Sequence, residues 1–194
     1  MNDKTTKDNK EIDEDQWYVL RVLFGRELKL KEKLEEKKIK CFVPLRYVET
    51  EVNGITKRKL TSAIACILFI NSKRAIIGDL MDEFSSTIPF RHLIDKATKQ
   101  PMIVKDQDMY NFIAIAGNDE LTEYVHYLGE EAKHLRRGEE VVVKSGIFKG
   151  IRGHIVRVKR QRRVMVELQG LANVVTAYIP NELLEKKITS DNIR

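Results

Sequence analysis

Two cysteines, four prolines, ten glycines and one tryptophan in 194 residues leave little with which to staple or stiffen a chain. Two cysteines cannot supply a disulfide framework. Cys41 and Cys66 each sit in an apolar, strand-like run, where reduced core thiols of a cytosolic protein are expected. The low glycine and proline content excludes fibrous and low-complexity classes. No apolar run approaches the ~20 residues that span a bilayer, so no membrane partner is expected. The N-terminal MNDKTTKDNKEIDEDQ has no apolar centre, unlike a signal peptide or anchor, and a cytoplasmic protein is expected. The four histidines (His92, His126, His134 and His154) lack metal-ligand spacing with either cysteine. No phosphate-cradling glycine loop and no nucleophile elbow is present. An enzyme, a metal site and a cofactor are therefore not expected.

Charge is abundant and segregated. The chain carries 35 Lys/Arg against 29 Asp/Glu, a formal balance of +6. Residues 136–163 hold ten basic and two acidic side chains, whereas 118–135 hold five acids and one lysine. The tail before Trp17 has six acids and three lysines. A concentrated basic stretch is the electrostatic footprint of a polyanion partner. The alternative is a solvated surface that keeps the chain soluble.

Residues 1–15 are polar and patternless and read as a disordered tail. Trp17–Phe24 reads as a buried strand, and Gly25 breaks it. Glu27–Lys40 has strong helix formers, with Leu30 and Leu34 on one face and Glu27–Lys31 at i,i+4 spacing. Cys41–Val52 returns to strand character. Asn53-Gly54 is a hairpin signal, and Ile55–Leu60 is the return strand. Ser62–Ile70 reads as a second buried strand, 75–84 as a helix, 88–93 and 101–104 as short strands. Asp106–Ala116 reads as a helix capped by Asp106. This order gives a βαββαβ unit over 16–117, close to the ferredoxin-like fold, with one mostly antiparallel sheet and helices on one face. Residues 118–135 read as an acidic linker. Short strands at 140–144, 151–158, 163–168 and 174–180 suggest a small barrel over 136–187. Asn181–Lys187 reads as a closing turn, and 188–194 should fray.

Within that last unit, GEEVVVKSGIFKGIRGHIVRV (138–158) places Gly146, Gly150 and Gly153 between two valine/isoleucine runs. This reads as a tight, strongly bent hairpin and resembles the KOW motif of small SH3-like barrels. Upstream, Trp17-Tyr18-Val19 precedes Gly25-Arg26-Glu27, Phe42-Val43-Pro44 follows, and Met109–Phe112 lies in a final helix. The closing segment Arg163–Pro180 also fits. In this order the pieces resemble the NusG family of transcription elongation factors over roughly Gln16 to Lys187. Ala177-Tyr178-Ile179-Pro180 and the overall length are closer to the specialised UpxY-like paralogs of the Bacteroides type. The resemblance implies an α+β N-terminal (NGN) domain followed by an all-β KOW barrel. It also implies binding to RNA polymerase at the β′ clamp helices and β lobe by a monomer.

The resemblance implies roles for particular residues. Where the housekeeping factor usually reads Phe-Pro-Gly-Tyr, this chain has Ile64-Ala65-Cys66-Ile67, which places Ile64 and Ile67 at the polymerase contact. Their odd spacing puts them on opposite faces of a strand, so ordinary core is the alternative. Arg26, Lys29 and Lys33 share one helix face, implied to touch non-template DNA; a solvated face is the alternative. Lys144, Phe148, Lys149 and Arg152 line the glycine hairpin, and Arg160, Arg162 and Arg163 crowd a second turn. These are expected to meet nascent RNA, a ribosomal protein or the Rho termination factor. Phe148 stacks on a base or caps the barrel core.

The expected function is an operon-specific antiterminator that suppresses pausing and termination, nucleoid-associated through RNA polymerase. A housekeeping factor coupling polymerase to Rho or the ribosome is one alternative. A ribosome-associated KOW protein that binds RNA is another. An enzyme with an appended barrel lacks the site chemistry.

Overall fold

A computed structural model describes residues 14–52, 55–117, 125–128, 138–158, 160–168, 171–179 and 181–186. The expected disordered tail lies almost wholly outside them, as do the Asn53-Gly54 turn, most of the expected linker and the expected frayed end.

The N-terminal unit is built on β1 (Gln16–Val22), whose partners lie on both sides. α1 (Glu27–Glu36) leads to β2 (Lys40–Phe42), then β3 (Leu45–Val52), β4 (Ile55–Ser62) and β5 (Ile67–Ser72). α2 (Arg74–Phe84), β6 (Phe90–His92), β7 (Ile103–Val104) and α3 (Asp106–Ala116) complete it. The main sheet runs β2-β5-β1-β6, all antiparallel, with β7 also pairing β1. This is the split βαβ order of a ferredoxin-like sheet. β3 and β4 form a separate two-stranded ribbon, inserted between β2 and β5 and paired from Leu45↔Ser62 to Val52↔Ile55.

Alternation along β1 and β5 divides the core. Tyr18, Leu20, Val22, Leu68 and Ile70 pack against Leu30 and Leu34 of α1 and Ile77, Leu80 and Phe84 of α2. Trp17, Val19, Ile67 and Phe69 face the opposite way, against Met109, Phe112 and Ile115 of α3. The expectation of helices on one face is thus corrected. α1 and α2 cover one side and α3 the other, because both faces of β1 and β5 are apolar and both must be covered.

Several boundaries also move. α1 ends at Glu36 instead of continuing to Lys40. Lys38 takes a left-handed φ of 59°, its N–H donates to the Glu35 carbonyl and the Ile39 N–H to the Leu34 carbonyl. That pair of bonds is a Schellman stop. The strand expected over 41–52 breaks at Val43-Pro44, where proline has no N–H to give a ladder. The strand expected over 62–70 is interrupted by a turn at 63–66. α3 starts without a side-chain cap, so Asp106 is its first residue and acts only as an acid near the positive end of the helix dipole.

The C-terminal unit is a six-stranded antiparallel sheet in the order β13-β9-β10-β11-β12-β8. Its strands are β8 (His126–Leu128), β9 (Glu140–Val143), β10 (Arg152–Val158), β11 (Gln161–Leu168), β12 (Ala172–Tyr178) and β13 (Leu184–Lys186). β8 falls inside the stretch expected as a linker. It pairs with β12, and Val125 just before it is buried. Gly153 sits inside β10, where an added Cβ would lie 2.4 Å from the Met165 carbonyl oxygen. It is there for close strand approach, whereas Gly150 (φ 85°) serves the turn.

The two units share one core. Val141, Val143, Phe148, Ile151, Val164 and Val166 join the cluster that holds Trp17, Phe69 and Phe112. α3 is buried on several sides because it is sandwiched between the two sheets.

Candidate functional site

One end of the N-terminal sheet gathers a turn, a helix start and an exposed aromatic. The turn is Ile64-Ala65-Cys66-Ile67, closed by the Ile67 N–H donating to the Ile64 carbonyl at 3.3 Å. Cys66 has φ 63°, the left-handed conformation that favours glycine at the third position of such a turn. Three bonds fix it to the framework. The Val22 N–H donates to the Cys66 carbonyl at 2.9 Å, and the Ala63 N–H to the Pro44 carbonyl at 2.7 Å. The Cys66 N–H donates to Glu27 Oε1 at 3.3 Å. Glu27 is the first residue of α1 and is 6% exposed. The i,i+4 pair expected for it with Lys31 is not formed; Lys31 pairs with Glu35 at 2.7 Å.

The two isoleucines, expected on opposite faces of a strand, pack against the same cluster, because the turn at 63–66 interrupts the strand between them. Ile67 is 8% exposed and belongs to the core beside Phe69. Ile64 is half-buried and packs against the same cluster from its margin. Only Ile64 retains surface of any extent.

Phe24 was not legible as a surface residue. The sequence places it at the end of a buried strand, yet it is 77% exposed. β1 stops at Val22, a short 3-10 turn follows, and Phe24 takes φ 61°, which swings its ring outwards. Gly25, with φ 64°, was the available signal that the strand ends before it. Arg26 lies over the Phe24 ring, 5.7 Å from its centroid, and donates from Nη1 to the Thr87 carbonyl. Lys29 is exposed one turn further on, while Lys33 pairs with Glu36 at 2.7 Å. Arg26, Lys29 and Lys33 thus share a face, with Lys33 partly neutralised and such surface pairs worth little.

The basic residues of the C-terminal sheet do not form one patch. Lys144, Lys149 and Arg152 are exposed at the glycine-loop end of β10, with Lys144 Nζ 3.9 Å from Glu185. Arg160, exposed at φ 65°, and exposed Arg162 mark the opposite end, at the β10–β11 turn. Arg163, beside them, is half-buried and donates to Gln161 Oε1. β10 lies between the two groups, about 20 Å of strand. Phe148 is 5% exposed in the shared core, which takes its ring out of reach of a base and leaves the core-capping role.

The junction between the units carries a residue that sequence reasoning missed. Asn111 of α3 is 4% exposed, and its Oδ1 accepts from the Arg152 backbone N–H at 3.3 Å and from Gln107 Nε2 at 3.4 Å. Phe112 meets Phe69 on one side and the edge of Tyr127 on the other. Burial pushes the Tyr127 hydroxyl well above its usual range. An open cleft of about 340 Å³ beside Asn111 is lined by Gln107, Asp108, Glu140, Arg152 and His154. Among the described residues, no group of three His, Cys, Asp or Glu comes together as a metal site. None of the described helices is long and apolar enough to cross a membrane.

The sequence model of one family, described as transcription termination factor nusG, matches residues 15–113, just over half the chain. The chain belongs to the NusG family. NusG-family proteins are non-enzymatic transcription factors that bind RNA polymerase. The matched span covers β1 through most of α3, and so includes the 63–66 turn, Phe24 and the α1 cations. No curated protein sequence matches the chain. Cys66, within the matched span, adopts a backbone conformation that glycine takes readily.

Proposed function

We propose that the chain is a NusG-family elongation factor of the specialised, UpxY-like antiterminator kind. It binds RNA polymerase through the 63–66 end of its N-terminal sheet, at the β′ clamp helices and near the β lobe. The observation that carries this reading is the turn itself. A half-buried apolar residue, Ile64, packs on the margin of the core and keeps part of its surface open on a turn that three backbone bonds and a buried carboxylate hold in place. A preorganised apolar surface loses little conformational freedom on binding. Arg26 and, on α1, Lys29 and Lys33 form the face we assign to non-template DNA, with exposed Phe24 beside Arg26.

The factor acts as a ligand with higher affinity for the pause-free conformer of polymerase than for the paused one. The C-terminal unit supplies a second, basic surface for nascent RNA, a ribosomal protein or Rho, and corresponds to a KOW barrel. Its basic groups at opposite ends of β10 favour a partner that uses one end at a time. The antiterminator reading over the housekeeping one rests on Ile64 and Ile67 standing where the housekeeping pattern has aromatic residues.

Single-round transcription with purified polymerase tests this. The full-length protein should shorten pause lifetimes and raise read-through. Unchanged pausing at saturating protein would contradict the reading, and enhanced Rho-dependent termination would transfer it to the housekeeping function.

A further inference from the structure

The row of the N-terminal sheet beside the 63–66 turn carries two arginines side by side. Arg21 of β1 lies between Ile67 of β5 and Arg91 of β6, directly opposed to each. Alternation along β1 puts Arg21 on the same face as Trp17 and Val19, the face that α3 covers. One row further in, Val19 is flanked by Phe69 and Leu93, and all three pack into the shared core. That cover stops at the next row, where Arg21 and Arg91 are both exposed. Among the described residues, no acid pairs with either of them. Like charges directly opposed on neighbouring strands are destabilising. The fold thus holds an unneutralised arginine pair at a position where it costs stability.

We infer that, with polymerase bound through the 63–66 turn as proposed above, Arg21 and Arg91 receive carboxylate side chains of that partner and set its specificity. Four observations select an acidic protein surface. The row Ile67, Arg21, Arg91 spans two strand spacings, about 10 Å, and Ile64 adjoins its apolar end through the turn bond to Ile67. An apolar anchor beside arginine is the make-up of a protein interface. The row has no aromatic ring on which a base could stack. The α1 cations assigned to DNA are on the other side of the sheet, because α1 packs on the opposite face. Two guanidinium forks at opposed positions match carboxylates, each able to give a pair of parallel N–H bonds. Bound next to Ile64 and Ile67, away from bulk water, such bonds are stronger than on an open surface.

Equilibrium binding of the full-length protein to core RNA polymerase free of nucleic acid tests this. Affinity should fall as salt rises from about 50 to 200 mM, because screening weakens charge pairs. Arg21→Gln with Arg91→Gln should lower affinity about tenfold or more at the low-salt end and flatten the salt dependence. Arg21→Glu with Arg91→Glu should abolish the complex. The glutamine pair should unfold at the wild-type temperature or above it, since a like-charge pair is removed. Ile64→Ser should weaken the complex and leave its salt dependence unchanged. If Ile64→Ser weakens binding while the glutamine pair keeps wild-type affinity and salt dependence, the arginine role is overturned and the turn contact stands. Absence of a wild-type complex overturns both. Lower thermal stability of the glutamine pair would assign the arginines to the fold and contradict the inference. So would an arginine-dependent affinity for duplex DNA, single-stranded DNA or RNA in the absence of polymerase.

Discussion

Cys66 shows how one residue couples backbone conformation to the proposed site. A non-glycine residue in the left-handed region costs roughly 1–2 kcal/mol, and here that conformation presents Ile64. Strain of this kind persists where the surroundings over-determine it, and Glu27, Val22 and Pro44 do so. Cys66→Gly should therefore stabilise the protein by about 1 kcal/mol in urea unfolding, after the extra flexibility glycine adds to the unfolded chain. A loss of stability would mean that the thiol's packing outweighs the backbone strain. Cys41 contrasts with it. Its thiol is pushed up to about 11 by burial, with Glu35 adding to the effect, so it stays protonated at neutral pH. Neither cysteine announces its role in sequence, because both sit in equally apolar runs. What separates them is tertiary: Cys41 lies on a strand and Cys66 at a turn.

Elements with a strong period were legible. α2 and α3, and the valine-rich strands β9 and β10, fall within a residue or two of where their patterns place them. The 63–66 turn was not, since it contains neither glycine nor proline and is set by the positive φ of Cys66. β8 was hidden because its three residues lie in an acidic stretch, and only pairing with β12 makes them a strand. The two-sided sheet was hidden for a related reason. Apolar runs in β1 and β5 show burial on both faces but not which helix covers which. β6 is a short element with a pH dependence of its own. It is held to β1 over three paired residues, and His92 lies edge-on to Tyr18 at 5.4 Å. Burial, and to a lesser extent Arg74, holds His92 below its usual range. The unfolded chain thus takes up a proton near pH 6.5 before the folded chain does. Stability present at neutral pH should fall as pH drops through 6.5 towards the lower folded value. His92→Gln should flatten that part of the pH profile in thermal unfolding. An unchanged profile would exclude His92 as its source.

At the scale of the molecule, the decisive feature is that two sheets share α3. The charge shift along the chain suggested two units joined by a linker, and no sequence period reveals that Asn111 and Phe112 face a second sheet. Asn111 is a polar residue on an otherwise apolar helix turn, which is the one hint available. Asn111→Ala leaves the Arg152 N–H without its side-chain acceptor and should cost about 1 kcal/mol. Hydrogen exchange should then accelerate at Arg152 and along α3, while amides of the β1–β5 ladder keep their protection. Uniform acceleration would mean that the two sheets unfold as one unit.

In the proposed function the 63–66 turn grips polymerase. It is tested most directly by equilibrium binding of the full-length protein to core RNA polymerase, wild type against Ile64→Ser. A wild-type complex is expected, with at least about a tenfold loss of affinity for the variant, the scale of one apolar anchor in an interface, and an unchanged circular dichroism spectrum. Absence of a wild-type complex, or equal affinity for the two proteins, would contradict it.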